Sequence, residues 1–368
     1  MMRLDAEQMP EAEPVALTQA GLFTSSPSFF PGGKEILYAQ GSLEGRRPFR
    51  MNIANPDGAI ALLALSMPLW MPTLSMDGKR IAYAHRSFDT NLWTLEINEQ
   101  HQPVGQPQLV VASSRGDANP AYSPDGRWLA FDTTRSGVSE IWIAEANGRN
   151  PRRIGGFPEA MCGSPAWSPN SQWLAFDARV EQSSDIYVAS IQEGIQPRRI
   201  TTHAADDLLP GWSGDGAWIQ FASNRTGTWQ IWRIPDTGGD EQQLTTTGAL
   251  FHRVAPNGDV YTTQTEGRQE DAVMRLTSDG QETPVLPPVY WYNSFDFLRS
   301  GLVYIAKPSR PNAAATVVYR DEAGRDHPVH KLRNGVGFGL SVCPDGRHIT
   351  WSQQDGNSSD LMLIDDLP

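Results

Sequence analysis

One short pattern recurs eight times along the chain, and its spacing restricts the fold more than any other feature. Around Tyr122 the sequence reads AYSPDGRWLAF, around Trp167 AWSPNSQWLAF and around Trp212 GWSGDGAWIQF. Weaker copies surround Phe29, Leu74, Val254, Phe297 and Val342, so the anchors are 42 to 48 residues apart. A repeat of that length built from short strands predicts a β-propeller with one blade per repeat. Four residues after each anchor stands a glycine (Gly33, Gly78, Gly126, Gly216, Gly258, Gly301, Gly346), with Ser171 the exception. Asp or Asn usually precedes it, and such pairs supply the positive φ of a tight hairpin.

The strand after each hairpin is apolar on both faces, as in Trp128-Leu129-Ala130-Phe131, which suits a strand covered by neighbouring sheets. Third strands follow, such as Ile141-Trp142-Ile143 and Ile231 to Ile234, and then shorter polar fourth strands such as Arg152 to Ile154 and Gln242 to Leu244. That is the gradient from a buried inner strand to a solvated edge. The last repeat has three strands, and Pro14 to Thr18 reads as an orphan fourth one. The expected fold is therefore all-β: a single eight-bladed propeller of four-stranded blades over residues 14–368, with the ring closed by the N-terminal strand and residues 1–13 a tail. Seven blades is the alternative, if the degenerate repeats at Val254 and Phe297 merge. Most of the 12 tryptophans sit at equivalent positions, and packing between blades is their expected role.

Net charge is −12, which argues against nucleic acid or an anionic membrane as the partner of this domain. The longest apolar run, 59–71, is too short to span a bilayer and contains Pro68. Residues 1–14 are acidic and polar rather than leader-like. The expectation is a soluble monomer, with the cytoplasm favoured and the periplasm the alternative for a piece of a longer protein. Cys162 and Cys343 fall on distant blades and form no disulfide framework.

Asn119 to Trp142, Ser164 to Tyr187 and Leu209 to Trp232 share one form. It runs Pro, any residue, an aromatic, Ser, Pro or Gly, Asp or Asn and a turn residue, then an apolar strand, an arginine and an acid or amide before a third strand. Arg86, Arg135, Arg179 and Arg225 hold the arginine position. This form resembles the WD40-like propeller repeats of the TolB family. The resemblance covers all eight repeats, most fully the middle three. It implies the propeller fold but not a single function: such repeats resemble the periplasmic component of the Tol–Pal system, the sensory regions of bacterial winged-helix regulators and receptor-like kinases, and the non-catalytic propellers of prolyl peptidases. The closing repeat is most similar to the regulator-associated group.

No nucleophile elbow, Walker A motif or His-Glu-x-x-His is present. The chain reads as a non-catalytic binding or sensing propeller without a cofactor, possessing no metal site of regular spacing. The alternatives are a propeller hydrolase or lyase with a channel-bound metal, or a periplasmic Tol–Pal-type component. Propellers place function on loops entering the inner strands, beside the central channel. There the chain carries Asn119, His203, Asp206, Asp207, His252, Trp291 and Tyr292, a mixture of acids, imidazoles and aromatics. They are the candidate ligand- or partner-binding residues, for a protein, a peptide or a small ligand.

Overall fold

The computed structural model describes residues 16–18, 23–41, 46–62, 70–157, 160–180, 183–192, 194–255, 257–263, 272–277, 281–299, 301–308, 310 and 313–365. Every regular element among them is a β-strand, and the sheets are antiparallel meanders, as the repeats predict. The chain divides into two compact units, 88–356 and a smaller one made of 1–87 and 357–368.

Within 88–356, repeats 3 to 7 each form a four-stranded blade. Repeat 3 contributes Asp117–Tyr122, Trp128–Thr133, Glu140–Glu145 and Arg152–Gly155. A sixth blade is composite. Its inner strands are Gly335–Val342 and the first half of His348–Ile364, from repeat 8. Its outer strands are the second half of Ile81–Glu96 and Gln108–Val111, from repeat 2. The Ile97 amide donates to the Arg347 carbonyl (2.7 Å), the bond that Ala146 and Arg127 make within repeat 3. Thr94 Oγ1 donates to the Ile349 carbonyl, and the Trp93 indole and Asn91 amide both donate to Asp355. Gly335–Val342 packs against both Asp117–Tyr122 and Phe295–Leu298, so six blades close a ring.

The expectation of eight separate blades is thus corrected. The sequence repeats eight times, but repeats 2 and 8 exchange their outer strands. The reason lies in the link between the second and third strands. Repeats 3 and 5 turn there through Gly137 (φ 98°) and Gly227 (φ 92°). Repeat 2 has Ser87-Phe88-Asp89-Thr90 instead, a link one residue shorter than those of repeats 3 to 5, and runs on as a single strand of 16 residues; glycine is not the deciding feature, since repeat 4 has none in that link and forms its own sheet. Closure by Pro14 to Thr18 is not seen either: Pro14 and Val15 lie outside the described residues, and Ala16, Leu17 and Thr18 belong to no strand.

The smaller unit holds the four-stranded sheet of repeat 1, Phe23–Phe29 to Asn55–Ala61. Phe30, Leu37 and Ala39 pack there against Ile81, Tyr83, Met362 and Ile364.

Each inner strand of repeats 1 to 5 carries a bulge that the repeat pattern alone does not reveal. The residue before a proline is left-handed: Ser26, Met71, Asn119, Ser164 and Leu209, with φ between 49° and 56°. The pairing register slips at each of them. Proline has no N–H to give the ladder, so the slip costs little there. The bulge turns the preceding amide toward the neighbouring blade. Asp132 accepts from Ser164 N (3.4 Å) and Asp177 from Leu209 N (3.1 Å). Anchor tryptophans add a second inter-blade bond: the indoles of Trp167 and Trp212 donate to the carbonyls of Ala121 and Ala166.

The repeat arginine also acquires a role. Arg135 pairs with Asp117 (3.0 Å) and lies between Phe131 and Trp142; Arg225 pairs with Asp207 and lies between Phe221 and Trp232. Cys162 replaces the acid in repeat 4, and Arg179 reaches Asp206 of the next blade (2.7 Å).

The turn glycines behave as expected: Gly126 has φ 71°, Gly216 φ 73°, and Ser171 shares the conformation at φ 58°. A Cβ at Gly126 would meet nothing within 4 Å. Gly126→Val should therefore cost about 1–3 kcal/mol through backbone strain alone, measurable by chemical denaturation. At Ser171, which stands where the other repeats have glycine, the hydroxyl accepts from the Asp125 amide (3.1 Å). Ser171→Gly should destabilise by about 1 kcal/mol. Asp355→Ala should likewise cost about 1–2 kcal/mol and speed hydrogen exchange of the Ile97 amide; unchanged exchange would refute closure through this strand pair.

Candidate functional site

The loops and bulges at the start of the inner strands surround the mouth of the six-bladed ring. The bulge sets the first contact: Asn119 donates to Asp132 Oδ1 (2.6 Å) and accepts from Asn293 Nδ2 (2.7 Å). Asn293 in turn accepts from the Gly339 amide, at the bulge of the composite blade (3.1 Å). Three blades are thus joined by side-chain amides.

An aromatic group stands beside them. Tyr292 lies 5.9 Å from both Phe251 and Phe338, and Trp291 lies 4.9 Å from Phe338. The Trp291 indole donates to the Val336 carbonyl (2.8 Å) while the ring stays 38% exposed. Burial pushes the Tyr292 hydroxyl well above its ordinary range, and the charges of Asp177 and Asp132 push it the same way. Both carboxylates therefore sit near the phenol. Tyr292 and Asp177 are both half-buried.

His252 lies between the blades rather than in the mouth. It is 3% exposed, and neither ring nitrogen has a hydrogen-bond partner. Its ring fits over Gly211, where a Cβ would come within 2.6 Å of Nε2. Burial, helped by the charge of Arg253, lowers its pKa to about 3, so it is neutral near pH 7.

The structure does not bring the other candidates to this group. His203 is exposed on an outer loop, its Nδ1 accepting from the Ala205 amide. Asp206 is held by Arg179 and the Ser184 amide, and the fully buried Asp207 by two bonds from Arg225. Asp206 thus ties repeat 5 to repeat 4, and Asp207 is engaged within its own blade. Among the described residues, no three His, Cys, Asp or Glu side chains gather as a metal site. Cys162 and Cys343 are free and buried.

Sequence reasoning missed Asp132 and Asp177. Both directly follow the aromatic of an otherwise apolar second strand (Phe131-Asp132, Phe176-Asp177), and a carboxylate there signals an inward polar position.

Two buried groups respond oppositely to pH. Burial raises the Asp177 pKa from 3.8 to about 6. The native state then holds a proton that the unfolded chain loses, so this term weakens folding as pH rises from about 4 to 6. His252, lowered from 6.5 to about 3, does the reverse: the unfolded chain binds the extra proton, and stability falls as pH drops from 6.5 toward 3. His252→Gln should remove close to one proton of positive slope, about 1.4 kcal/mol per pH unit at most, and Asp177→Asn should steepen that slope. Denaturation midpoints between pH 4 and 6.5 check both signs.

Residues 154–290 match the family model described as the TolB beta propeller domain. An uncharacterized protein of Agrobacterium fabrum is 33% identical over 98 residues, which are 26% of this chain and 32% of that one. The Tol-Pal system protein TolB of Anaeromyxobacter dehalogenans is 30% identical over 92 residues, 24% of this chain and 19% of its own. The chain thus spans a third or less of the length of these relatives. The crystal structure of TolB from Acinetobacter baumannii superposes with a TM-score of 0.53 at 15% identity, over 88% of this chain and 81% of that one. Its likeness shows the fold. No helix among the described residues is long and apolar enough to cross a membrane. The chain folds as a β-propeller, and over residues 154–290 it is similar to the TolB beta propeller domain.

Proposed function

We propose that this propeller is a non-catalytic binding domain that holds a basic segment of a partner protein at the mouth of its ring. The observation that carries the reading is the meeting of Asp132, Asp177, Tyr292, Asn119 and Asn293 there, drawn from three blades. Two carboxylates and a phenol within a ring suit an ammonium or guanidinium group. Exposed Trp291, with Phe338 against it, offers apolar area for the flanking residues of a peptide. A net charge of −12 would speed the approach of a basic partner. A relative named as a Tol-Pal system protein supports a partner that is itself a protein, and favours the periplasmic alternative over the cytoplasm.

Arrayed peptides of varied charge provide the test. Basic peptides should bind, with affinity falling steeply between about 50 mM and about 300 mM salt, over which the Debye length shortens from about 14 Å to about 6 Å. Tyr292→Ala and Trp291→Ala should each weaken binding about tenfold or more, as central aromatic anchors do. Gln242→Ala, on a fourth strand at the rim, should leave it unchanged. Equal losses at mouth and rim, or a preference for acidic peptides, would sink the reading.

A further inference from the structure

A second concave place lies on the opposite, hairpin-turn side of the ring, between repeats 4 and 5. It is a cleft of about 310 Å³ whose walls include Asn170, Trp173, Arg198, Trp212, Asp215 and Asp236. Comparison of the repeats explains why a cleft opens here. Between repeats 3 and 4, the Ser171 hydroxyl accepts from the Asp125 amide and ties the two turns together. Between repeats 4 and 5 the equivalent residue is Gly216, which has no side chain to make that tie.

The same comparison indicates what chemistry the cleft would accept. Repeats 3, 4 and 5 each start their second strand with a tryptophan: Trp128, Trp173 and Trp218. These were expected to pack between blades, but two of them serve as platforms for a cation. The Arg152 guanidinium lies 5.7 Å from the centre of the Trp128 ring, and that of Arg233 4.3 Å from the Trp218 ring. Among the described residues no guanidinium lies over the Trp173 ring, which is 37% exposed. Arg198 is the repeat counterpart of Arg152, and makes the counterpart bond, to the Asp236 carbonyl (2.7 Å) as Arg152 does to the Ile191 carbonyl (2.8 Å). Arg198 lines the cleft beside the indole. Two acidic residues, Asp215 and Asp236, also line the cleft, beside the single arginine. The Ser213 hydroxyl and the Ala217 amide hold Asp215 below the usual carboxylate range, so it is ionised near pH 7.

We propose that this cleft binds a guanidinium group of an arginine-bearing peptide, seated on the Trp173 indole in the place that an internal arginine fills in repeats 3 and 5, with Asp215 and Asp236 as counter-charges. The site is separate from the mouth of the ring, and stands or falls independently of the function proposed there.

The test uses the full chain and titrates it with N-acetyl-arginine amide, following tryptophan indole N–H resonances by NMR. Trp173→Phe identifies the Trp173 signal. The signals of Trp173 and Trp212 should move, and the uncharged N-acetyl-citrulline amide should bind at least about tenfold more weakly, since the ring attracts the cation. Agmatine, a free guanidine without peptide groups, should bind more weakly than the arginine amide; the reverse order would overturn the peptide as its source. Gly216→Ser should restore the tie between turns, keep the melting temperature and lower affinity at least about fivefold by narrowing the cleft. Trp173→Ala should abolish binding. Equal binding of the citrulline and arginine amides, or full affinity in both Gly216→Ser and Trp173→Ala, would overturn the proposal.

Discussion

Backbone pairing between the third strand of repeat 2 and the second strand of repeat 8 is the constraint on which the ring depends. Without the bond from Ile97 to Arg347 and the contacts of Thr94 with Ile349 and of Trp93 with Asp355, repeats 3 to 7 would be an open arc. An open arc would leave two blade faces and two sheet edges exposed to water. Closing it buries Leu95, Ile97, Ile349 and Trp351 in one cluster with Leu298, Val303 and Val317 of repeat 7. The hydrophobic gain thus falls on the residues that the pairing brings together.

Around that closed ring, blades are held in rotation by a small set of polar devices repeated with variation. A bulge before proline turns an amide to the side, and a carboxylate on the preceding blade accepts it. The device is strained, since a left-handed residue before proline is disfavoured. Its benefit is geometric: the same bulges place Asn119 beside Asp132 and Asn293 at the mouth. Repeats 6 and 7 lack the proline, and their inner strands pair without a register slip. The ring is consequently asymmetric, and its polar and aromatic mouth residues are concentrated rather than evenly spread.

Much of this was legible in the sequence. The Ser-Pro-Asp-Gly turns announced the blades, and the turn glycines adopt the positive φ that their type implied. Blade composition was not legible from the anchors, because an anchor counts inner strands and says nothing of which outer strand pairs beside them. The clue was the link in repeat 2, one residue shorter than those of repeats 3 to 5. The candidate site divided along a similar line. Trp291 and Tyr292 pack with Phe338, and Asn119 bonds to Asn293. Asp206 and Asp207 looked like free acids, because a charge in a loop does not show its partner. Their arginines are Arg179 and Arg225, and Arg225 stands 18 positions from Asp207, as Arg135 does from Asp117. His252 seemed a mouth residue, yet the absence of a side chain at Gly211 lets it lie between blades.

The exchange of strands between repeats 2 and 8 also imposes an order in time. Trp93 and Asp355 are 262 positions apart, so on a ribosome adding about 5–20 residues per second the two strands are separated by roughly 13 to 50 s of synthesis. Throughout that interval the strand that ends at Glu96 can already pair with Gln108–Val111, but its other edge lacks the partner it will finally have. The remaining candidate for that edge is the strand before it, within its own repeat. The short link makes that hairpin costly, and so keeps the edge open until repeat 8 arrives. A few residues in one turn therefore decide not only which blade the strand joins but also that the ring is completed last.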